Sequence, residues 1–353
     1  YNWVGSSSGT TSYNGNGSTW QVSNLSGPNN GVYHLTPVGN TLYFTARDTG
    51  PGTELWKSDG TTNGTMMVKD INPGPNGSSP NELFALGNTL YFQADNGING
   101  TELWKSDGTA NGTVMVKDLR PESNINGGLS SKPEQMTAIG NTLYFTTEYG
   151  ATNYGSELWK SDGTENGTVI VKDINPGAAS GYVDDLTLIG STLYFQANDG
   201  TNGSELWKSD GTEAGTVMVK DINSGSGGSS PGGTFSRHHF VAIGSTIYFN
   251  ADNGINGTEL WKSDGTASGT MMVKDILSNY SYGAGPHNYV VMNNTLYFSA
   301  DDDISNQAGR NLWKSDGTTN GTVKVHPAYD LEPGYLVAVN GTLYFNAEPS
   351  WDR

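Results

Sequence analysis

The chain of 353 residues contains no cysteine, so no disulfide holds it together and its stability must come from packing or from bound ions. Long apolar runs are also missing. Phe240-Val241-Ala242-Ile243 and Tyr335-Leu336-Val337-Ala338-Val339 are among the longest, far short of the roughly 18 residues a membrane-spanning helix requires. No membrane insertion is expected, and no stretch has a convincing helical period. Basic residues are scarce, 18 Lys and Arg against 35 Asp and Glu, giving a net charge of −17. Eleven of those 18 sit at two fixed positions of a repeat, which leaves few to build the basic patch that a phosphate backbone needs, so nucleic acid is excluded as an expected partner. The sequence opens at Tyr1 with neither Met nor a targeting segment. The expectation is a processed or trimmed start and an exported protein, extracellular or at the cell surface.

What is abundant is glycine, 49 residues, with Asn, Ser and Thr filling much of the remainder, a composition suited to many short strands joined by tight turns. The chain falls into register on the segment Glu102-Leu103-Trp104-Lys105-Ser106-Asp107-Gly108-Thr109. Its copies place Trp at 56, 104, 159, 207, 261 and 313, with spacings of 48, 55, 48, 54 and 52 residues, the length of one four-stranded propeller blade. Before each Trp runs a segment such as Asn88-Thr89-Leu90-Tyr91-Phe92-Gln93-Ala94, and after it one such as Gly112-Thr113-Val114-Met115-Val116-Lys117-Asp118. Both have the β-branched and aromatic content of strands. One unit reads as a first strand near Leu83 to Leu86, the Leu-Tyr-Phe strand, the Leu-Trp-Lys strand and a Val-Lys-Asp strand. Gly87-Asn88 makes the first hairpin, and Ser106-Asp107-Gly108-Thr109 begins the third.

A seventh Leu-Tyr-Phe segment occurs at Leu343-Tyr344-Phe345, with no Leu-Trp-Lys segment between it and Arg353. At the other end, Asn2-Trp3-Val4 is similar to the Trp strand, and Thr19-Trp20-Gln21-Val22-Ser23-Asn24-Leu25 aligns with Thr113 to Leu119. The expected fold is therefore all-β: one seven-bladed β-propeller over residues 1–353, with four-stranded antiparallel blades. Its last blade is shared between 1–25 and 335–353, and closure covers edges that would otherwise invite aggregation. Six copies of Trp-Lys-Ser-Asp-Gly-Thr without a change resemble the bacterial ELWxxDGT repeat family, over essentially the whole chain. That resemblance implies an exported or surface-associated propeller, often part of a longer multidomain chain. It implies no active site.

A residue present in every blade is expected to serve every blade. Each repeat Trp is large enough to be buried between neighbouring sheets, and Asp107 and its equivalents, followed by Gly and Thr, should fold a hairpin through side chain to backbone hydrogen bonds. Sequons such as Asn63-Gly64-Thr65, Asn111-Gly112-Thr113 and Asn340-Gly341-Thr342 read as turns before they read as glycosylation sites. The stretch Ala94 to Trp104 loosely resembles the tryptophan-docking repeat of quinoprotein dehydrogenases. That pattern wants Asp where Asn96 stands, so a quinone cofactor is not expected. Oxygen donors do cluster in this loop and its copies: Asp95, Asn96, Asn99 and Glu102; Asn198, Asp199 and Glu205; Asp252, Asn253, Asn256 and Glu259. Calcium is the one cofactor they suggest, because hard cations take six to eight such oxygens.

Function is expected where blades differ. The loops between strands two and three and between blades share one face, and they include the long segments Arg120 to Lys132 and Asn223 to Arg237. Counting five positions back from the turn that ends each first strand gives His34, Glu82, Gln135, Asp185, His239, Asn288 and Tyr335. All are polar or polar-tipped, and the next position is apolar in each repeat, from Leu35 to Leu336. They are the candidate ligand-binding ring at a channel mouth, where the bland alternative is simple solvation. The position before the ring adds Tyr33, Asn81, Glu134, Asp184, His238 and His287. His with carboxylates suits a transition metal, and Glu82, Glu134, Asp184 and Asp185 could supply a glycan-cleaving pair. No nucleophile elbow, phosphate loop or HExxH motif occurs. The leading expectation is a non-enzymatic binding or structural module for carbohydrate or a cell-surface or matrix protein. The alternatives are a polysaccharide-active enzyme with its site at the channel mouth, and a purely architectural domain of a larger surface protein.

Overall fold

A computed structural model describes residues 31–121, 128–150, 154–232, 240–278, 280–302, 310–325 and 333–347, together with the backbone of three strands within 2–21. Every regular element among them is a strand. Six four-stranded antiparallel sheets follow one another in chain order, spanning 32–69, 81–117, 133–172, 184–220, 241–274 and 287–324. In the second, Asn81–Leu86 pairs with Thr89–Asp95, which pairs with Thr101–Ser106, which pairs with Val114–Lys117. This is the repeated four-stranded sheet of propeller-like folds. Gly334–Val339 and Thr342–Asn346 form a two-stranded sheet. The chain divides into two compact units: Tyr1–Asp173 with Gly177–Ser180, holding the first three four-stranded sheets, and Ile174–Pro176 with Gly181–Arg353, holding the other three.

The amino-terminal segment differs from the sequence reading. Two strands are expected there, and three are present, Asn2–Ser6, Gly9–Asn14 and Ser18–Gln21, with Gly9–Asn14 paired between the other two. In the four-stranded sheets the Trp strand pairs directly with the fourth strand. The intervening Gly-Thr-Thr-Ser-Tyr-Asn has no apolar alternation, which is why its hairpin is easily read as loop. Residues 22–25 lie outside the described residues.

The second strand is buried on both faces, not one. In the first unit Leu90, Phe92 and Ala94 pack with Tyr43, Leu55 and Val68 of the preceding sheet, while Tyr91 packs with Leu143, Phe145 and Trp159 of the next. In the second unit Tyr194 packs with Ile247, Phe249 and Trp261, and Tyr248 with Leu296, Phe298 and Trp313. A strand covered on both sides reads as a near-continuous apolar run, as Leu-Tyr-Phe does.

The repeat lysines bind one sheet to the next. Lys57 Nζ donates to Gly108 O, Lys105 to Gly163 O, Lys208 to Gly265 O and Lys262 to Gly317 O, each at 2.8 Å. Lys69, Lys117, Lys220 and Lys274 do the same to the carbonyls of Thr113, Thr168, Thr270 and Thr322, and Lys69 Nζ lies 6.0 Å from the Trp104 ring centroid. The repeat indole N–H groups have no acceptor among the described residues; Trp104, Trp159, Trp207, Trp261 and Trp313 are buried, and Trp104, Trp261 and Trp313 also carry a lysine over the ring. The Asp-Gly-Thr turn forms as its residue types require. Asp107 Oδ1 accepts from Thr109 N at 2.8 Å and Thr109 Oγ1 at 2.7 Å. Gly108 has φ +88, and a Cβ there would stand 2.3 Å from Tyr43 Oη of the preceding sheet. Glycine is required twice over, by conformation and by contact.

Candidate functional site

The candidate ring residues share a backbone conformation that the sequence does not announce. His34, Glu82 and Gln135 in the first unit, and Asp185, Asn288 and Tyr335 in the second, all have positive φ, between 52 and 61°. Each sits at an irregularity of register in its first strand. In the second sheet Asn81 pairs with Gln93 and Phe84 with Tyr91, so Glu82 and Leu83 together oppose Phe92. Such a bulge re-aims a side chain. Asn and Asp tolerate the left-handed region, whereas His, Glu, Gln and Tyr enter it at a cost of about 1–2 kcal/mol. Glycine would satisfy the bulge without that strain, yet each of these six positions carries a polar-tipped side chain. His34 and Tyr335 are exposed, Glu82, Gln135 and Asn288 half-buried, and Asp185 buried. His239 and His238 lie outside the described residues. At the apolar position that follows the ring, Leu35 is exposed, while Phe240 is buried.

Third strands carry a buried glutamate, and in three of them, Glu102, Glu205 and Glu259, it is one that the sequence suggests for calcium. Glu54, Glu102, Glu205 and Glu259 are fully buried and hold both ends of the segment that leads into the next sheet. Glu102 accepts from Leu119 N, Ser131 N and Ser131 Oγ at 3.0, 3.0 and 2.6 Å, and Glu205 from Ile222, Asn223 and Ser229 N at 2.9–3.1 Å, as well as from Ser229 Oγ. Glu54 and Ser78 repeat the pattern. Glu259 accepts three backbone N–H groups, from Ile276, Leu277 and Ala284. Burial outweighs these donors, pushing the Glu102 and Glu259 carboxyls up to about 7 and those of Glu54 and Glu205 upward as well.

The other calcium candidates are engaged with their own loops. Asp95 Oδ1 accepts from Gly97 N, and Asn96 Oδ1 from Ile98 and Asn99 N. Asn96 Nδ2 donates to Asn99 Oδ1, and Asn99 Nδ2 to Asp118 Oδ2 at 2.7 Å. Asp199 and Asp252 cap equivalent turns through Thr201 N and Gly254 N. No group of three or more His, Asp or Glu suited to a metal occurs among the described residues. Of the proposed acid pair, Asp184 accepts from Asp185 N and Gln196 Nε2. His287, beside Asn288, has Nδ1 at 2.9 Å from Gly285 O and Nε2 at 3.3 Å from Arg310 Nη1. Burial holds its imidazole below the usual range, so at neutral pH Nδ1–H donates and Nε2 accepts.

Among the described residues, every exposed tyrosine but Tyr344, which lies within the strand Thr342–Asn346, is at the same end of the sheets as the bulges. Tyr33 and Tyr335 lie at the starts of first strands, Tyr182, Tyr280 and Tyr282 in segments leading into them, and Tyr149 and Tyr154 between strands two and three of the third sheet. Strands alternate in direction, so these positions fall at one end of each sheet. Tyr335 is 85% exposed and Tyr182, itself at φ 47, 64%. The exposed aliphatic side chains Met66, Val114, Val169, Val217 and Met271 lie instead on fourth strands.

No protein-family model and no curated protein matches the chain. Among solved structures it is similar to the computationally designed Ika8 protein, at TM-score 0.48 and 12% identity, covering 98% of this chain and 89% of that one. Puromycin hydrolase matches at TM-score 0.46 and 13% identity over 90% of this chain and 50% of its own. Oligopeptidase B from Leishmania major matches at 0.47 and 13%, over 88% and 44%. The chain spans about half the length of these two hydrolases.

Proposed function

We propose that this chain is an exported, non-enzymatic binding module whose ligand is a carbohydrate of a cell surface or matrix, bound at the end of the sheets that carries the bulges and the exposed tyrosines. The proposal takes the seven repeats as one propeller of seven blades, the last shared between the two ends of the chain, with His34, Glu82, Gln135, Asp185, His239, Asn288 and Tyr335 around its mouth. The observation that carries the reading is the retention of polar side chains at left-handed bulge positions where glycine would be less strained. Strain kept in the presence of a cheaper residue is a mark of function. Tyrosine supports a sugar ligand, since its ring stacks on C–H faces and its hydroxyl still meets water.

A glycan array probed with and without calcium tests this. Binding that disappears in the combined Glu82→Gly and Tyr335→Ala variant, with the fold intact, is the expected outcome. Binding to no glycan would reject the reading, and turnover of a bound glycan would replace it with the polysaccharide-active enzyme.

A further inference from the structure

Eight of the eleven repeat lysines are committed to carbonyls of the neighbouring sheet, so the cations outside the repeat positions stand out in so acidic a chain. Seven exist: Arg47, Arg120, Lys132, Arg237, Arg310, Lys324 and Arg353. Of the described ones, Arg310 and Lys324 lie against Asp301 and Asp302. Arg120 and Lys132 instead converge on one exposed tyrosine of the third sheet. Lys132 Nζ is 4.8 Å and Arg120 Cζ 5.9 Å from the Tyr149 ring centroid. Glu148 is the acid paired with Lys132 there, at 2.7 Å. No other repeat shows this cluster among the described residues; the third sheet's connection between its second and third strands is two residues longer than in four of the repeats, Phe145 to Trp159 being 14 residues where Phe92 to Trp104 is 12.

The cluster is held from beneath. Tyr149 N donates to Ser131 O and Glu148 N to Lys132 O, and Ser131 is fixed by the buried Glu102. Arg120 is oriented by its backbone N–H on Asp118 Oδ1 and by Nη1 on Ser130 O, both at 3.0 Å. A guanidinium has five N–H donors in a planar fork, and the bond to Ser130 uses one of them. The surface thus presents an aromatic ring, a guanidinium matched to a carboxylate, and a carboxylate matched to vicinal hydroxyls.

We propose that Arg120, Lys132, Glu148 and Tyr149 form a subsite for a uronic acid residue of an acidic polysaccharide. The ring of Tyr149 meets the sugar's C–H face, Arg120 takes the uronate carboxylate, and Glu148 accepts from its hydroxyls. Glu148 also neutralises Lys132, which sets a sign: removing that acid frees the lysine and strengthens binding of the anion. The assignment rests on the carbohydrate-binding reading and narrows its ligand class.

The test is calorimetric titration of the full chain with tetragalacturonate, with its fully methyl-esterified form and with a hyaluronan octasaccharide. At least one acidic oligomer is expected to bind, with the ester about tenfold weaker where galacturonate binds, as for loss of one charge-assisted hydrogen bond. Arg120→Gln should weaken the acid about tenfold without moving the melting temperature, Arg120→Lys should fall between, and Glu148→Gln should tighten it severalfold. Affinity for both acids that is absent, or unchanged in Arg120→Gln, overturns the subsite. If neutral glycans still bind, the carbohydrate reading survives that result; if no glycan binds, both fall.

Discussion

At the scale of single residues, two glycines separate backbone strain from contact. Gly87 and Gly108 both have positive φ, 59 and 88°, but a Cβ at Gly87 would meet nothing within 4 Å, whereas one at Gly108 would meet Tyr43 Oη at 2.3 Å. Gly87→Ala should therefore cost about 1 kcal/mol, the conformational penalty alone. Gly108→Ala adds displacement of a buried tyrosine from the preceding sheet and should cost at least about twice as much. Equal losses in chemical denaturation would show that the close approach is unimportant. The opposite substitution tests the bulges. Glu82→Gly removes left-handed strain of about 1–2 kcal/mol and gives back about 0.5–1 kcal/mol through the greater entropy of the unfolded chain. The net change should lie near zero or be mildly stabilising, while Leu83, without positive φ, offers no such relief. A large loss of stability in Glu82→Gly would make the glutamate a structural partner and remove it from the proposed site. Counting back from the turns found these positions because the repeat keeps its length. Their conformation could not be read, since six different residue types occupy the six described positions and none is glycine. The lysine bridges were equally hidden: an invariant lysine on a strand reads as an exposed edge charge until its neighbour's carbonyl is in place.

At the scale of the element, the segment joining one sheet to the next is governed by one buried carboxylate, and its protonation should be visible in stability. A carboxyl raised by burial holds its proton in the folded protein at pH values where the unfolded chain has lost it. With Glu102 and Glu259 at about 7 against an ordinary 4.5, their contribution is full below about pH 4.5 and declines as pH rises through 7. Melting temperature should fall by several degrees between pH 5 and pH 8. The net charge of −17 acts in the same direction through self-repulsion, so the wild-type curve alone does not separate the two. Glu102→Gln does. It should lower stability throughout, because an amide presents N–H to the N–H groups of Leu119 and Ser131, and it should flatten the pH dependence. A slope unchanged in Glu102→Gln assigns the effect to surface charge. The sequence showed Glu102 beside Asp95, Asn96 and Asn99 and so suggested an ion. The structure gives the carboxylate three protein donors, a choice that depends on Ser131, 29 residues away, and that local spacing does not contain.

At the scale of the whole molecule, the four-stranded sheets were legible in the sequence because each copies the last, and the count of six complete units is the count of Trp-Lys-Ser-Asp-Gly-Thr. The amino-terminal hairpin was not, since nothing repeats it. Calcium and closure belong to this scale as well. A structural ion would stabilise by RT ln(1 + [L]/Kd), about 2.7 kcal/mol at a hundredfold excess over Kd. Because Asn96, Asn99 and Glu102 already accept protein hydrogen bonds, chelation is expected to leave the melting temperature unchanged, and a drop would place calcium in the loops.

The proposed seventh blade is tested at the ends of the chain. The strand Thr342–Asn346 pairs with Gly334–Val339, whereas every other Leu-Tyr-Phe strand pairs on both sides. Tyr335, Val337, Val339 and Tyr344 of this sheet are all exposed, and Val337 stands directly opposite Tyr344. A strand edge and an apolar face of this kind invite association with other chains. If residues 1–25 supply the missing strands, deleting them should expose both the edge and the face, lowering the melting temperature and promoting aggregation that grows with protein concentration. Adding back a peptide of residues 1–25 should restore the melting temperature, since a donated strand recovers the same backbone hydrogen bonds. A shortened chain that stays monomeric and melts where the intact chain does would show that the two ends do not share a blade.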